Sequence, residues 1–321
     1  MSQSSKSLRS LTLFAIKATI SGVLIYVALS RLNLTHVDAR LSSLQPFWIL
    51  SALLVAAFQS VLLAYRWQII ARFCQLPMKD MEAIRFFYIG LFFSQFLPGG
   101  FGGDAIRIWL LGRAHSDLVG ASYSVLLDRF FGLLSLTLFV IGGLGWSLAQ
   151  IPDAHARTSL LLLSASCFAV AVMFLFASQL LPKRLAQWMV FRHLGEMSHL
   201  AKSMLVSRRG PSIMVLSLII HAIAVVMAWL LGKAIGTPFS ILSSFEFVPA
   251  VMLITLLPIS ISGWGVREMM FSLVFRYIGL PEGDGVIVSL LLGGIGLVLA
   301  ACGCVLWLTN RVPVPKSLPS R

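Results

Sequence analysis

The chain has 321 residues, of which 58% are apolar and 12% charged, with a net charge of +13, and its mean hydropathy is +0.90. Soluble domains average about 45 to 50% apolar and about 25% charged residues, so composition excludes a water-soluble globule and indicates an integral membrane protein. The longest stretch without a membrane-length apolar run, 182–210, is too short for a separate catalytic domain. No enzyme activity is expected. The basic residues sit in short loops between apolar runs, as cytoplasmic loops do, which excludes nucleic acid as a partner.

In chain order, Lys6 and Arg9 precede an apolar run over 11–30. A signal-peptide h-region spans about 7 to 15 residues, whereas this run is long enough to cross a hydrocarbon core about 30 Å thick, so it is read as a retained first span. Lys17 within it is read as a snorkelling or cavity-facing side chain. Further membrane-length runs fall at 47–65, 119–149, 158–181, 211–235 and 286–308, making six spans. Two other apolar segments, 83–97 and 243–257, are cut by Pro98-Gly99-Gly100-Phe101-Gly102-Gly103 and by Pro258-Ile259-Ser260-Ile261-Ser262-Gly263. At about 1.5 Å per residue each leg reaches only about 22 Å, too little to cross alone. A second short helix follows each break, over 104–113 and 264–278. Pro98, Gly99, Gly100, Gly102, Gly103, Pro258, Gly263 and Gly265 are the backbone residues of these breaks.

Each broken segment is either a re-entrant hairpin or a single crossing with an irregular middle, and the loop charges separate the two. With hairpins, 16 of the 25 Lys and Arg fall on one side, including Arg66, Arg72, Lys183, Arg184, Arg192, Lys202, Arg208 and Arg209. Five, Arg31, Arg40, Arg157, Lys233 and Arg276, fall on the other. Broken crossings would move the basic 182–210 loop outside, so the positive-inside bias favours hairpins with both termini cytoplasmic.

Laid over each other at an offset of about 160 residues, the two breaks share L-P-x4-G-x3-R: Leu97-Pro98 on Leu257-Pro258, Gly103 on Gly263, and Arg107 on Arg267. The element order around them agrees, giving repeat 1 at about 47–149 and repeat 2 at about 211–308. The hairpins enter from opposite faces, so the repeats are inverted. Inverted repeats with interrupted helices characterise transporters, with substrate near the midplane.

Ionisable residues at membrane depth cost about 2.5 to 3.5 kcal/mol each on insertion scales and mark partners or water-filled cavities. Here they are Asp104, Arg107, Asp128, Arg129, Arg267 and Glu268, with Glu246 and His221 beside them. Asp104 and Arg107 are three apart and can pair. The neighbours Asp128-Arg129 and Arg267-Glu268 point about 100° apart on a helix, so each is free to engage something else. Arginines aided by helix N-termini suit a phosphate, with the carboxylates balancing charge. Structural ion pairs are the other reading, and both can hold at once. His221 is expected to form an interhelical hydrogen bond. The 182–210 loop, with Trp188, Met189, Met197, Leu200 and Met204 among basic residues, suggests a helix on the cytoplasmic leaflet attracted by anionic lipid headgroups. Gly293-Gly294-Ile295-Gly296 can pack within the chain or between copies of a homo-oligomer. Gly100 to Ala105 fits a dinucleotide fingerprint but follows an apolar helix rather than a strand. The four cysteines form no CxxC pair, so neither a cofactor nor a metal is expected. Residues 313–321, with Pro313, Pro315 and Pro319, read as a disordered tail.

The stretches Leu97 to Arg107, Leu127-Asp128-Arg129-Phe130-Phe131-Gly132-Leu133 and Leu257 to Glu268 resemble the three signature stretches of the lysylphosphatidylglycerol synthase transmembrane, flippase-like family. The resemblance covers nearly the whole chain, in the same order, with Ile259-Ser260-Ile261-Ser262 departing from the pattern. It implies a single transmembrane domain over 1–312, a stand-alone member without the soluble aminoacyl-transferase domain, and the translocation half of that family's activity. It also implies that Asp104, Arg107, Asp128, Arg129, Arg267 and Glu268 are functional. The expectation is an all-α polytopic membrane protein of the bacterial cytoplasmic (inner) membrane, with six spans and two re-entrant hairpins. It would move an anionic or zwitterionic lipid headgroup between leaflets. A secondary transporter of a small anionic solute and a non-transporting lipid-binding partner of a synthase acting in trans are the alternatives.

Overall fold

Long apolar runs with backbone groups that only a helix can satisfy in lipid produce ten helices and no strand among the described residues. The computed structural model describes residues 19, 40, 42–96, 102–180, 188–256 and 263–309. The expected first span at 11–30, Pro98, Gly99, Gly100, Pro258, Ser260, Ser262 and the 313–321 tail lie outside these residues.

The helices are α1 (Pro46–Phe73), α2 (Asp80–Phe96), α3 (Gly102–His115), α4 (Leu118–Gln150), α5 (Ala154–Leu180), α6 (Met189–Val206), α7 (Gly210–Ala234), α8 (Ile241–Thr255), α9 (Val266–Tyr277) and α10 (Glu282–Leu308). Five of them, α1, α4, α5, α7 and α10, are long and apolar enough to cross a membrane. The protein is an all-α polytopic membrane protein. Local signals set the boundaries. Pro46 and Pro211 open α1 and α7, where a missing N–H costs nothing. Asp117 accepts from the Gly120 N–H at 2.9 Å and Ser240 from the Ser243 N–H at 2.9 Å, capping α4 and α8.

Two units of long, short, short, long helices follow each other, with starts at residues 46 and 210, 80 and 241, 102 and 266, and 118 and 282. Their first helices pack antiparallel. Gln45 N–H donates to the Ala234 carbonyl at 3.0 Å, Gln59 Nε2 to the Ile220 carbonyl at 2.8 Å, and Arg66 Nη1 to Ser217 Oγ at 3.2 Å, so positions rise along α1 as they fall along α7. The remaining contacts are exchanged: α10 of the second unit packs on α2 of the first, and α4 of the first packs on α8 of the second. The first helices of the two units thus run oppositely, and the remaining helices trade partners between the units.

In each unit the short helices fold back on one another. Phe87 and Gly90 on α2 meet Arg107 on α3, while Gly90 and Ser94 meet Gly103. A Cβ built on Gly103 would stand 2.3 Å from the Gly90 carbonyl oxygen, so these two glycines allow the helices to touch backbone to backbone. In the second unit Gly263 and Gly265 take φ of +79° and +87°, values that glycine alone adopts without strain.

One sequence boundary needed correction. The second span does not end at residue 65. Helix α1 continues to Phe73 and carries Arg66 into the interior, 4% exposed, rather than into a cytoplasmic loop. Arg40, counted on the outer side, grips both Asp284 carboxylate oxygens at 3.1 and 2.9 Å and also donates to the Ile235 carbonyl, a pairing that charge counting does not announce. The helix expected in the 182–210 loop runs from Met189 and is packed against α5 and α7, with Ser198, Ala201 and Met204 buried. Ser198 Oγ donates to the Leu175 carbonyl at 3.0 Å and accepts from the Ser178 N–H at 3.1 Å. Ser198→Ala is expected to cost about 1 kcal/mol, read as a lowered Tm of the detergent-solubilised protein with unchanged helix content by circular dichroism.

Candidate functional site

Five charged residues from three helices meet where α3 begins. Arg66 on α1, Asp104 and Arg107 on α3, and Asp128 and Arg129 on α4 form a chain of alternating sign. Arg66 Nε lies 2.9 Å from Asp128 Oδ1 and its Nη2 donates to the Asp128 carbonyl at 3.3 Å. Arg107 Nη2 donates to Asp128 Oδ2 at 3.0 Å, and its Nη1 lies 3.4 Å from Asp104 Oδ1. Arg129 then closes on Asp104 through Nε at 2.8 Å and Nη2 at 3.2 Å. The structure thus brings Asp104, Arg107, Asp128 and Arg129 together in one ion-paired network. Sequence reasoning missed Arg66. Its signal was a lone arginine at the end of an apolar run with helix-forming residues beyond it, Trp67-Gln68-Ile69-Ile70.

Local packing explains why these side chains point inward. The Arg107 guanidinium lies over the Trp67 ring, 4.1 Å from its centroid, and faces the Phe87 ring at 5.2 Å. Its stem crosses Gly90, where any side chain would collide at 2.9 Å. Gly132, one turn after Asp128, leaves room for the Arg66 guanidinium in the same way. Three of the five, Arg66, Arg107 and Asp128, are almost fully enclosed, whereas the Arg129 side chain remains 50% exposed.

A second network sits at the start of α9. Glu268 reaches back to accept from the Gly265 N–H at 2.6 Å, fixing the helix N-terminus. Ser289 Oγ on α10 donates to Glu268 Oε1 at 2.8 Å and accepts from Arg267 Nε at 3.0 Å. Arg267 Nη2 also donates to Glu268 Oε1 at 3.0 Å, and its guanidinium lies 5.0 Å from the Trp264 ring centroid. The expectation that Arg267 and Glu268 would turn away from each other is thus corrected. Both side chains bend toward Ser289, which bridges them, and the angular separation of their Cβ atoms is overcome by side-chain length. Gly293 leaves the space that Trp264 and Arg267 occupy, so the Gly293 region packs within the chain.

The two networks share no hydrogen bond or ion pair among the described residues, so one common cluster containing Arg107 and Arg267 is not what forms. Helices α2 and α10 pack side by side between them, with Arg107 against Gly90 and Arg267 against Gly293. The register of the motif differs too: Gly103 lies inside α3, while Gly263 precedes α9 by three residues. The left-handed Gly265 delays the second helix and sets Arg267 in its first turn. His221 spans α7 to α4 as expected, with Nε2 3.1 Å from both the Gly132 carbonyl and Ser135 Oγ. A shallow apolar groove on α5, lined by Phe168, Val172, Met173 and Phe176, includes none of the network residues.

The sequence model of the lysylphosphatidylglycerol synthase TM region matches residues 14–303. The chain belongs to this family. It is also 22% identical over 278 residues to the UPF0104 membrane protein PH1989 of Pyrococcus horikoshii, covering 76% of this chain and 81% of that protein. No solved structure matches the chain. Both networks and all ten helices except the last residues of α10 fall inside the matched span.

Proposed function

We propose that this protein is a lipid translocator that passes an anionic or zwitterionic headgroup between leaflets of a bacterial inner membrane, with both termini cytoplasmic and no chemistry performed on the lipid. In this reading the α2–α3 and α8–α9 pairs are re-entrant hairpins entering from opposite faces. The observation that carries it is the placement of an arginine-carboxylate network at the N-terminus of the inner short helix in each of two oppositely running units. Such termini favour anions through their unpaired N–H groups and dipole, and inverted units allow the site to be approached from either side. A family described by a lipid synthase's membrane region supports a lipid rather than a soluble anion. No ATP-binding motif is present in the sequence, so movement is passive or ion-coupled. Basic loops and α6 would hold anionic headgroups at the cytoplasmic face, and a synthase in trans would supply the lipid.

Arg129 and Arg267 are the arginines of the two networks whose side chains keep the most exposed surface, 50% and 20%, whereas Arg107 is enclosed. The test is therefore purified protein in liposomes carrying fluorescent phosphatidylglycerol in one leaflet. Wild type should equilibrate the probe, and Arg129→Gln and Arg267→Gln should each slow it at least about tenfold, as expected for the loss of a charged hydrogen bond of about 1.5 to 3 kcal/mol. Both variants moving lipid at the wild-type rate would overturn the reading. Uptake of glycerol phosphate without lipid movement would replace it with a solute carrier, and no flux of either with a non-transporting lipid partner.

A further inference from the structure

The Asp104 carboxylate holds Arg129 in a fork: Nε to Oδ2 at 2.8 Å and Nη2 to Oδ1 at 3.2 Å. This bidentate arrangement is the one a guanidinium offers equally to a phosphate. Asp104 also touches Arg107, at a longer 3.4 Å, while Asp128 holds Arg66 at 2.9 Å and Arg107 at 3.0 Å. Three arginines thus share two carboxylates, a net charge of +1, and the sharing is loosest at Asp104.

We infer that Asp104 is an internal stand-in for the ligand, a carboxylate that occupies the Arg129 fork and is displaced onto Arg107 by a single monoanionic oxyanion. The inference rests on the proposed headgroup site and adds its regulation. Displacement leaves no charge stranded. Asp128 keeps Arg66, Asp104 closes the long contact to Arg107, and the incoming anion neutralises Arg129, so each cation has one counter-ion. A buried site that changes from +1 to neutral on binding favours a monoanion over a dianion, since a second negative charge would have no arginine left to meet it. The half-exposed position of Arg129 makes it the only one of the three arginines that a ligand can reach without first opening the network. The stand-in also keeps the empty cation from binding any passing anion tightly, which a translocator needs in order to release its cargo.

The experiment is binding of spin-labelled phosphatidylglycerol to the full chain in phosphatidylcholine nanodiscs, with glycerophosphoglycerol and inorganic phosphate as soluble competitors. Asp104→Asn removes the competing charge and should tighten lipid binding about tenfold while slowing translocation. The same substitution in an Arg129→Gln background should give no gain. Competition by the soluble phosphodiester at equal concentration would assign the site to a free anion, and its failure to compete would assign it to the lipid headgroup; either way the displacement step stands. Unchanged or weaker lipid binding by folded Asp104→Asn, with binding still lost in Arg129→Gln, would overturn the stand-in and leave the headgroup site intact. Wild-type binding that survives Arg129→Gln would remove the site itself. If Asp104→Asn does not fold, electron cryomicroscopy of the wild type in phosphatidylglycerol nanodiscs decides. Asp104 on Arg107 with lipid phosphate at Arg129 supports the displacement, and Asp104 still on Arg129 refutes it.

Discussion

Asp128→Ala should abolish the folded protein at growth temperature, and it should do so more completely than any other single substitution among the charged residues. Asp128 is 3% exposed and carries two buried arginines, Arg66 at 2.9 Å and Arg107 at 3.0 Å. Removing one member of a buried ion pair costs about 3 to 5 kcal/mol, because the charge left behind has neither water nor a partner. Here Arg66 is left with no carboxylate and Arg107 with only the longer 3.4 Å contact to Asp104, and the Arg66 contact to Ser217 is a neutral hydrogen bond that does not replace a carboxylate. Asp104→Ala is the control. It leaves Arg107 paired with Asp128 and frees only Arg129, which is half exposed, so its cost should be smaller by several kcal/mol. Fluorescence-detected size-exclusion chromatography after detergent extraction reads the contrast: Asp104→Ala elutes as a single folded peak, Asp128→Ala in the void. Arg66→Met together with Asp128→Leu should recover part of the peak, since an apolar replacement of a buried pair is often tolerated.

That contrast shows what the sequence could and could not reveal. The spans are legible because lipid demands about 20 consecutive apolar residues, and the five described long helices fall where the apolar runs lie, α1 extending to Phe73. The short helix pairs α2–α3 and α8–α9 are legible because Pro and Gly interrupt apolar runs of less than membrane length. The identity of four network members is legible because Asp104, Arg107, Asp128 and Arg129 stand inside apolar segments where a charge needs a reason. Arg66 escaped because the end of a hydrophobic run is also where a cytoplasmic loop begins, and only the helical continuation of α1 distinguishes the two. Asp284 escaped for the same cause: it precedes the last apolar run, and nothing in a linear sequence announces that Arg40, 244 residues earlier, closes on it. The joining of Arg267 to Glu268 depends on Ser289 on another helix, a tertiary fact that periodicity cannot carry. The division into two networks follows from α2 and α10 packing face to face, and residue spacing alone does not encode which helices become neighbours.

The second large effect is steric rather than electrostatic. Gly103→Leu should destroy translocation and most of the folded yield, although the substitution adds an apolar side chain to a membrane protein and improves intrinsic helix propensity. The reason is distance: even a single Cβ at residue 103 would lie 2.3 Å from the Gly90 carbonyl oxygen and 3.0 Å from the Ser94 side chain. Neither helix can yield separately. A Cβ built on Gly90 would stand 2.9 Å from Arg107 Cγ, so the Arg107 stem passes close over this glycine, and Arg107 is bound in turn to Asp128 and stacked on Trp67. Pushing α3 away from α2 therefore draws Arg107 out of the network and loosens the same contacts whose loss dominates Asp128→Ala. Overpacking usually costs about 1 to 3 kcal/mol in cores that can relax, and a backbone carbonyl coupled to a buried ion network places this site at or above that range. Gly142 and Gly143, on the apolar α4 and with no neighbour within 4 Å of an added Cβ, provide the comparison: Gly142→Leu should leave folding and lipid movement near wild type. Equal behaviour of the Gly103 and Gly142 variants in extraction and liposome assays would mean that the close approach of α2 and α3 does not hold the arginine network in place.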